Sequence, residues 1–471
     1  MYPRLRLETE FGSRFYTIRG VKKGMTLDRR TALGLVGSGL AGGLLWDAAT
    51  SAVTADAGAP DRRPEATRDA VEAYAHGNAG FGLDLLGELA AAAPGTNRMV
   101  SPLSVSAALA MTWAGARGET ASEMRETLRF PHGQPELHRA VGAIHHELGR
   151  RADDVPRFEG YRLWETNRFE LRLANALWGQ AGFPFAEPFL ETLERYYGGG
   201  LRTADFEGDP EGTRRQVNDW AASRTAGRID ELLPAGSITP MTRFVLANAV
   251  YLLADWDRQF DPEETKDEQF TAIDGRSRQV RMMEQTDEFR AVFDREAGYR
   301  AVELPYVGGD LAMVFVMPSR RETPFREFEA AVDGAWLTDR FAELDAAGER
   351  ETLVRIPRFE FETGTRLNGP LRELGMVSAF DRADANFDGV VADGNDLQLY
   401  ISHVFHDTYV AVDETGTEAA AATGSLGEVV SAPPTFAADR PFLFCVRDRP
   451  TDAVLFLGRV VDAAAAAIDS G

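Results

Sequence analysis

One stretch limits what this chain can fold into more than any other, because its composition and its periodicity disagree. Gly416-Thr417-Glu418-Ala419-Ala420-Ala421-Ala422-Thr423, with the residues that follow to Val429, has the small, bland composition of a surface linker. Strand geometry, in which successive side chains face opposite sides, sorts it differently. One parity holds Thr417, Ala419, Ala421, Thr423, Ser425, Gly427 and Val429, all small or apolar and none charged. The other parity carries both charges, Glu418 and Glu428. A segment that is an exposed loop in one state and a central sheet strand in another needs that combination.

The rest of the chain offers a frame for such a strand. Val71, Tyr74, Phe81, Leu85 and Leu89 recur by threes, fours and sevens, as one face of a helix does. Ala107 to Gly115 is apolar nearly all round, which predicts a buried helix. Leu171 to Trp178 alternates and then runs apolar, Phe244 to Leu253 is an apolar strand, and Ala453 to Val460 is a closing hydrophobic strand. Val217 to Ile229 reads as a helix ending near Gly227, and residues 152–170 as a long polar loop. A 471-residue chain with 44% hydrophobic residues supports a sizeable core. No internal repeat or linker divides residues 67–463, which read as a single domain. Residues 56–66 form a linker before it and 464–471 a tail after it.

Gly416 to Thr423 resembles the hinge of the reactive-centre loop of inhibitory serpins, the serine protease inhibitor family. The likeness continues without a gap. The family's spacing places the scissile bond between Val430 and Ser431, with Pro433-Pro434 and Pro441-Phe442-Leu443-Phe444 at the family's distances beyond it. Asn97 to Ser106, Glu303-Leu-Pro-Tyr306, Leu311 to Pro318, Ile356-Pro-Arg-Phe359 and Leu374-Gly-Met376 follow in the family's order. The resemblance implies an α+β serpin fold: a large central, mostly antiparallel sheet with surrounding helices, further sheets and an exposed reactive-centre loop. It also implies roles. Ser101, Ser104, Asn248 and His406 fall on the family's buried polar cluster beneath the centre of that sheet, and Trp256 on the tryptophan at its top. By residue type alone each is a satisfied core polar group, which is compatible with that role. Asp413 stands where the family often has asparagine, so it bears on how the hinge docks.

The implied function is suicide-substrate inhibition of a serine protease, which forms a covalent acyl complex at Val430 and is trapped when the loop enters the sheet. Val430 calls for a primary pocket that takes a β-branched aliphatic side chain, as in elastase- or subtilisin-like proteases. A non-inhibitory serpin, acting as a binding or structural protein, is the alternative. It would be signalled by bulky or charged residues on the inward parity, and Thr417 to Val429 has none there. An enzyme is not expected. No Gly-x-Ser-x-Gly elbow supplies a nucleophile, since Gly424-Ser425 lacks the glycine two positions before the serine. No cofactor or metal is expected either. His145-His146 are adjacent, point apart on a helix and read as surface residues. Asp384-x-Asn386-x-Asp388-Gly389 opens like a calcium loop, but Asn395 stands where the closing glutamate belongs.

Charge narrows the partners. The net charge is −22, and lysine occurs only at Lys22, Lys23 and Lys266. Such a surface repels nucleic acid and anionic membranes. It fits a halophilic source, where salt screens self-repulsion, or an acidic mesophile with a GC-rich genome. Cys445 is the only cysteine, so the chain forms no internal disulfide, and the residue reads as a small core side chain; separately, a monomer is expected. Residues 1–55 read as an N-terminal extension with a twin-arginine export signal: Arg29-Arg30, an apolar run from Leu33 to Trp46, then small residues around Val53-Thr54-Ala55. An uncleaved membrane anchor is the alternative to an extracellular protein.

Overall fold

A strand that is apolar on both parities needs cover on both faces, and Phe244 to Asp255 receives it. In the computed structural model, residue 60 and residues 62–154, 169–199, 201–395, 397–417 and 433–467 are described. The proposed export signal, most of the 152–170 loop, hinge residues Glu418 to Thr423 and the Val430–Ser431 bond lie outside them. In chain order the strands are β1 (Arg98–Val100), β2 (Phe169–Gln180), β3 (Leu201–Ala204), β4 (Phe244–Asp255), β5 (Lys266–Thr271), β6 (Ser277–Asp294), β7 (Tyr299–Pro305) and β8 (Leu311–Pro318). There follow β9 (Glu349–Pro357), β10 (Phe359–Arg366), β11 (His403–Val412), β12 (Gly416–Thr417), β13 (Thr435–Ala437), β14 (Phe442–Asp448) and β15 (Ala453–Val460).

Two sheets result among the described residues. The first runs β10-β11-β4-β2-β3, with β12 added to β4. Its pairings are antiparallel except β11 with β4 and β2 with β3. The second runs β1-β15-β14-β8-β7-β6-β9-β13, with β5 on β6. The helix Pro102–Trp113 packs on β2, β4 and β15 and is buried at every residue, which accounts for its all-round apolar sequence. Alternate residues of β4 serve two cores. Leu246, Val250, Leu252 and Ala254 join the main one. Val245, Ala247 and Ala249 join a second, closed by Val217, Trp220 and Ala221 of the helix Pro210–Arg224.

That helix lies earlier than its apolar pattern alone predicts. Asp209 accepts a hydrogen bond from Gly212 N at 2.8 Å with Pro210 in the first turn, the signature of a helix start. Ala226 and Gly227, at φ of 53° and 78°, follow its last residues and turn the chain away. His145 also departs from the surface reading. It lies on the helix Gln134–Asp154 in one buried face with His138, Val141 and Leu148, and burial lowers its pKa to about 4. Among the described residues no helix is long and apolar enough to cross a membrane.

Candidate functional site: a seam between two parallel strands

The centre of the first sheet is a seam that is closed at one end and open at the other. His403 to Thr408 of β11 pair with Val245 to Val250 of β4. Beyond that point each strand keeps its outer neighbour, Tyr409 to Val412 on β10 and Tyr251 to Ala254 on β2. At the far end β12 enters between them, with Gly416 opposite Asp255 and Thr417 opposite Ala254, antiparallel to β4. A small apolar cavity lined by Leu252, Val410, Phe444, Val446 and Phe456 lies under the open part.

The closed end rests on a buried polar cluster. Asn175, Asn248 and His406 occupy one row across β2, β4 and β11. Ser101 N donates to His406 Nε2 at 3.0 Å, so that nitrogen is unprotonated. His406 Nδ1–H therefore donates to Asn248 Oδ1, which joins the two parallel strands side chain to side chain. Asn248 Nδ2 donates to Ser104 Oγ at 2.5 Å and to Asn175 Oδ1. Ser104 Oγ donates to Asn175 Oδ1 at 2.8 Å, and Ser101 Oγ donates to Leu455 O at 2.6 Å in the second sheet. Burial lowers the His406 pKa to about 3, which agrees with the neutral tautomer that the hydrogen bonds require.

The open end is held by the chain that leaves β11. Trp256 stacks on Tyr306 with centroids 4.6 Å apart and planes 8° from parallel. Its indole Nε1 donates to Asp413 O at 3.0 Å, and its backbone N donates to Thr415 O at 2.7 Å. Glu414, buried, accepts from Arg358 Nε at 2.7 Å and Nη2 at 2.6 Å and from the Thr265 hydroxyl.

The structure thus brings Ser101, Ser104, Asn248 and His406 together and sets Trp256 apart, next to the docked Gly416-Thr417. Two participants escape a reading of the sequence. Asn175 has a visible signal, since Leu173-Ala-Asn-Ala repeats in Leu246-Ala-Asn-Ala. The Glu414–Arg358 pair, 56 residues apart, has none. Around Asp384-x-Asn386-x-Asp388, the Asn386 backbone accepts from Arg117 N and donates to the Thr120 hydroxyl, both at 3.0 Å, which ties this turn to the helix Gly118–Thr127.

A mixed sheet whose central parallel strands part around an incoming loop, backed by a second sheet, is the serpin architecture. The family model described as Serpin (serine protease inhibitor) matches residues 76–463, and the chain belongs to that family. It is 34% identical to "Serpin B6" of Pongo abelii over 394 residues, covering 83% of this chain and 99% of that one. It is 33% identical to "Leukocyte elastase inhibitor" of Bos taurus over 395 residues, again 83% and 99%. The crystal structure of native protease nexin-1 with heparin superposes at a TM-score of 0.71, with 27% identity, over 84% of this chain and all of that one.

Proposed function

We propose that this serpin is a secreted suicide-substrate inhibitor of elastase- or subtilisin-like serine proteases, which traps the acyl-enzyme by inserting its cleaved loop at the β11–β4 seam. The docked hinge carries this reading. An antiparallel strand advances one residue for each step back along its neighbour. In the proposed inserted state, continuing the register from Gly416 opposite Asp255 and Thr417 opposite Ala254 puts Ala419 opposite Leu252, Ala421 opposite Val250 and Thr423 opposite Asn248. Residues directly opposite share a face, so the uncharged parity points inward and Glu418 and Glu428 point out. Ala419 then meets the apolar cavity, and the Thr423 hydroxyl meets the polar cluster.

The chemistry belongs to the protease. Its serine attacks the Val430 carbonyl, the bond to Ser431 breaks, and the new amine stays on the C-terminal segment, which β13, β14 and β15 hold in the second sheet. The loop is now free at one end. Fourteen steps from Gly416 to Val430, at about 3.3 Å each, carry the acylated protease roughly 46 Å before water releases it. Parting β11 from β4 breaks the His406–Asn248 bond, and the Thr423 hydroxyl stands in for the lost partner. Export in the salty setting that the acidic, lysine-poor surface fits is part of the same reading.

Incubation with elastase or subtilisin, followed by denaturing electrophoresis, tests it. A stable covalent band is expected, and loop cleavage without such a band would overturn inhibition. Mass spectrometry of the C-terminal fragment, freed by denaturing the cleaved protein, should find Ser431 at its new terminus. A terminus outside Val430 to Ala432 would overturn the bond assignment.

A further inference from the structure

To leave β11 and dock on β4, the main chain must reverse between Val412 and Gly416, and Asp413 organises that reversal. Its Oδ1 accepts from Thr415 N at 2.9 Å and from Gly416 N at 3.3 Å. Its own N–H donates to Gly416 O at 3.0 Å, and its carbonyl holds the Trp256 indole at 3.0 Å. Gly416 fits against the strand end so closely that a Cβ there would lie 2.2 Å from Ala254 O and 2.8 Å from Trp256 N. Its φ of 156° is also one that side chains rarely adopt. Turn and strand end therefore meet as a clip around the first residues of the hinge.

We propose that Asp413 is a positioning residue for the inhibitory reaction: its carboxylate holds the first rung of the hinge in the sheet before cleavage, so that insertion propagates from a nucleus already formed. This rests on the inhibitory reading above. Bringing a free segment to its first ladder contact costs closure entropy before any bond rewards it. A pre-docked hinge avoids that step, and insertion gains on hydrolysis of the acyl-enzyme. The same docking withdraws two residues from the exposed loop, which slows capture of the protease. Releasing the clip thus moves capture and trapping in opposite directions, which a plain loss of stability does not do.

The test compares Asp413→Ala, which removes the acceptor, with Asp413→Asn, which keeps an oxygen in its place. The first readout needs no protease. Amide exchange at Thr415, Gly416 and Trp256 should quicken about tenfold in Asp413→Ala and stay near wild type in Asp413→Asn. With elastase or subtilisin, Asp413→Ala should consume several-fold more inhibitor per protease trapped while capturing it at an equal or higher rate. Should that variant not fold, Asp413→Ser, whose shorter hydroxyl weakens the same bonds, takes its place. Unchanged exchange would overturn the docking role. Faster exchange with an unchanged requirement for inhibitor would overturn the effect on trapping. A wild type that forms no covalent band defeats the inhibitory reading and the trapping role together, and the exchange result still judges the docking.

Discussion

Two seams between neighbouring strands run through this molecule, and they are made of opposite materials. Along β14 and β15, Leu443 to Val446 face Phe456 to Arg459 across an antiparallel ladder, and all residues of both strands are buried. A buried ion pair, Arg447 with Glu303 at 2.7 Å, and a part-buried one, Arg459 with Glu329 at 2.7 Å, add to this seam. Along β11 and β4 the ladder is parallel, pairs only His403 to Thr408 with Val245 to Val250, and stands over hydrogen-bonded polar side chains. Interlocked apolar side chains resist parting, because separation leaves voids that nothing fills. Hydrogen bonds can be re-formed with a strand that arrives between them. On the inhibitory reading proposed above, the β11–β4 seam is the one that opens, and the β14–β15 seam belongs to a frame that stays whole.

The largest effect that sharpens this contrast is in the frame. Leu457→Ala should cost about 2–5 kcal/mol in both the intact and the loop-nicked protein, measured by chemical denaturation of each. A loss confined to one form would break the contrast, since this seam is the same in both.

Acid should weaken the opening seam by a smaller amount. Burial holds the His406 pKa at about 3 in the folded chain, against about 6.5 when unfolded. Between those values the unfolded state binds the extra proton, so the stability present above pH 6.5 is lost as pH falls toward 3. From pH 6.5 to 5 the change is about 2 kcal/mol. His138, His145 and His403 are also depressed by burial, so His406 is isolated by comparing the wild type with His406→Gln. Equal pH slopes in the two proteins would remove His406 from the account of the seam.

The smallest effect reads the register of insertion. Thr423→Val should leave the intact protein unchanged and destabilise the nicked form by about 1 kcal/mol. A change of similar size in the intact form would place Thr423 somewhere other than opposite Asn248.

The frame is the part of the fold most legible in the sequence. Ala453 to Val460 reads as a closing apolar strand and Ala107 to Gly115 as a buried helix, and a fully buried strand and the fully buried helix Pro102–Trp113 stand there. Local patterning is less telling where two signals compete. The apolar period around Val217 points past Gly227, but the Asp209-Pro210 start and the turn at Ala226 decide the helix. His145 looks exposed by residue type, although it shares a spacing of threes, fours and sevens with buried His138, Val141 and Leu148. The site is legible where one residue type recurs in an apolar run, as Asn248 does, and as Asn175 does in the repeated Leu-Ala-Asn-Ala. It is not legible where function lies in pairing. The Glu414–Arg358 contact joins residues 56 positions apart, which no local pattern records, whereas Asp413, singled out by its place before the hinge, makes its turn with Thr415 and Gly416 close by in the chain.

Melting the intact and the loop-nicked protein side by side, at an ionic strength where both are folded, tests most directly whether the β11–β4 seam accepts the loop. Insertion completes the sheet with new ladder bonds and buried side chains, so the nicked form should melt well above the intact one. A nicked form that melts at or below the intact temperature would contradict it.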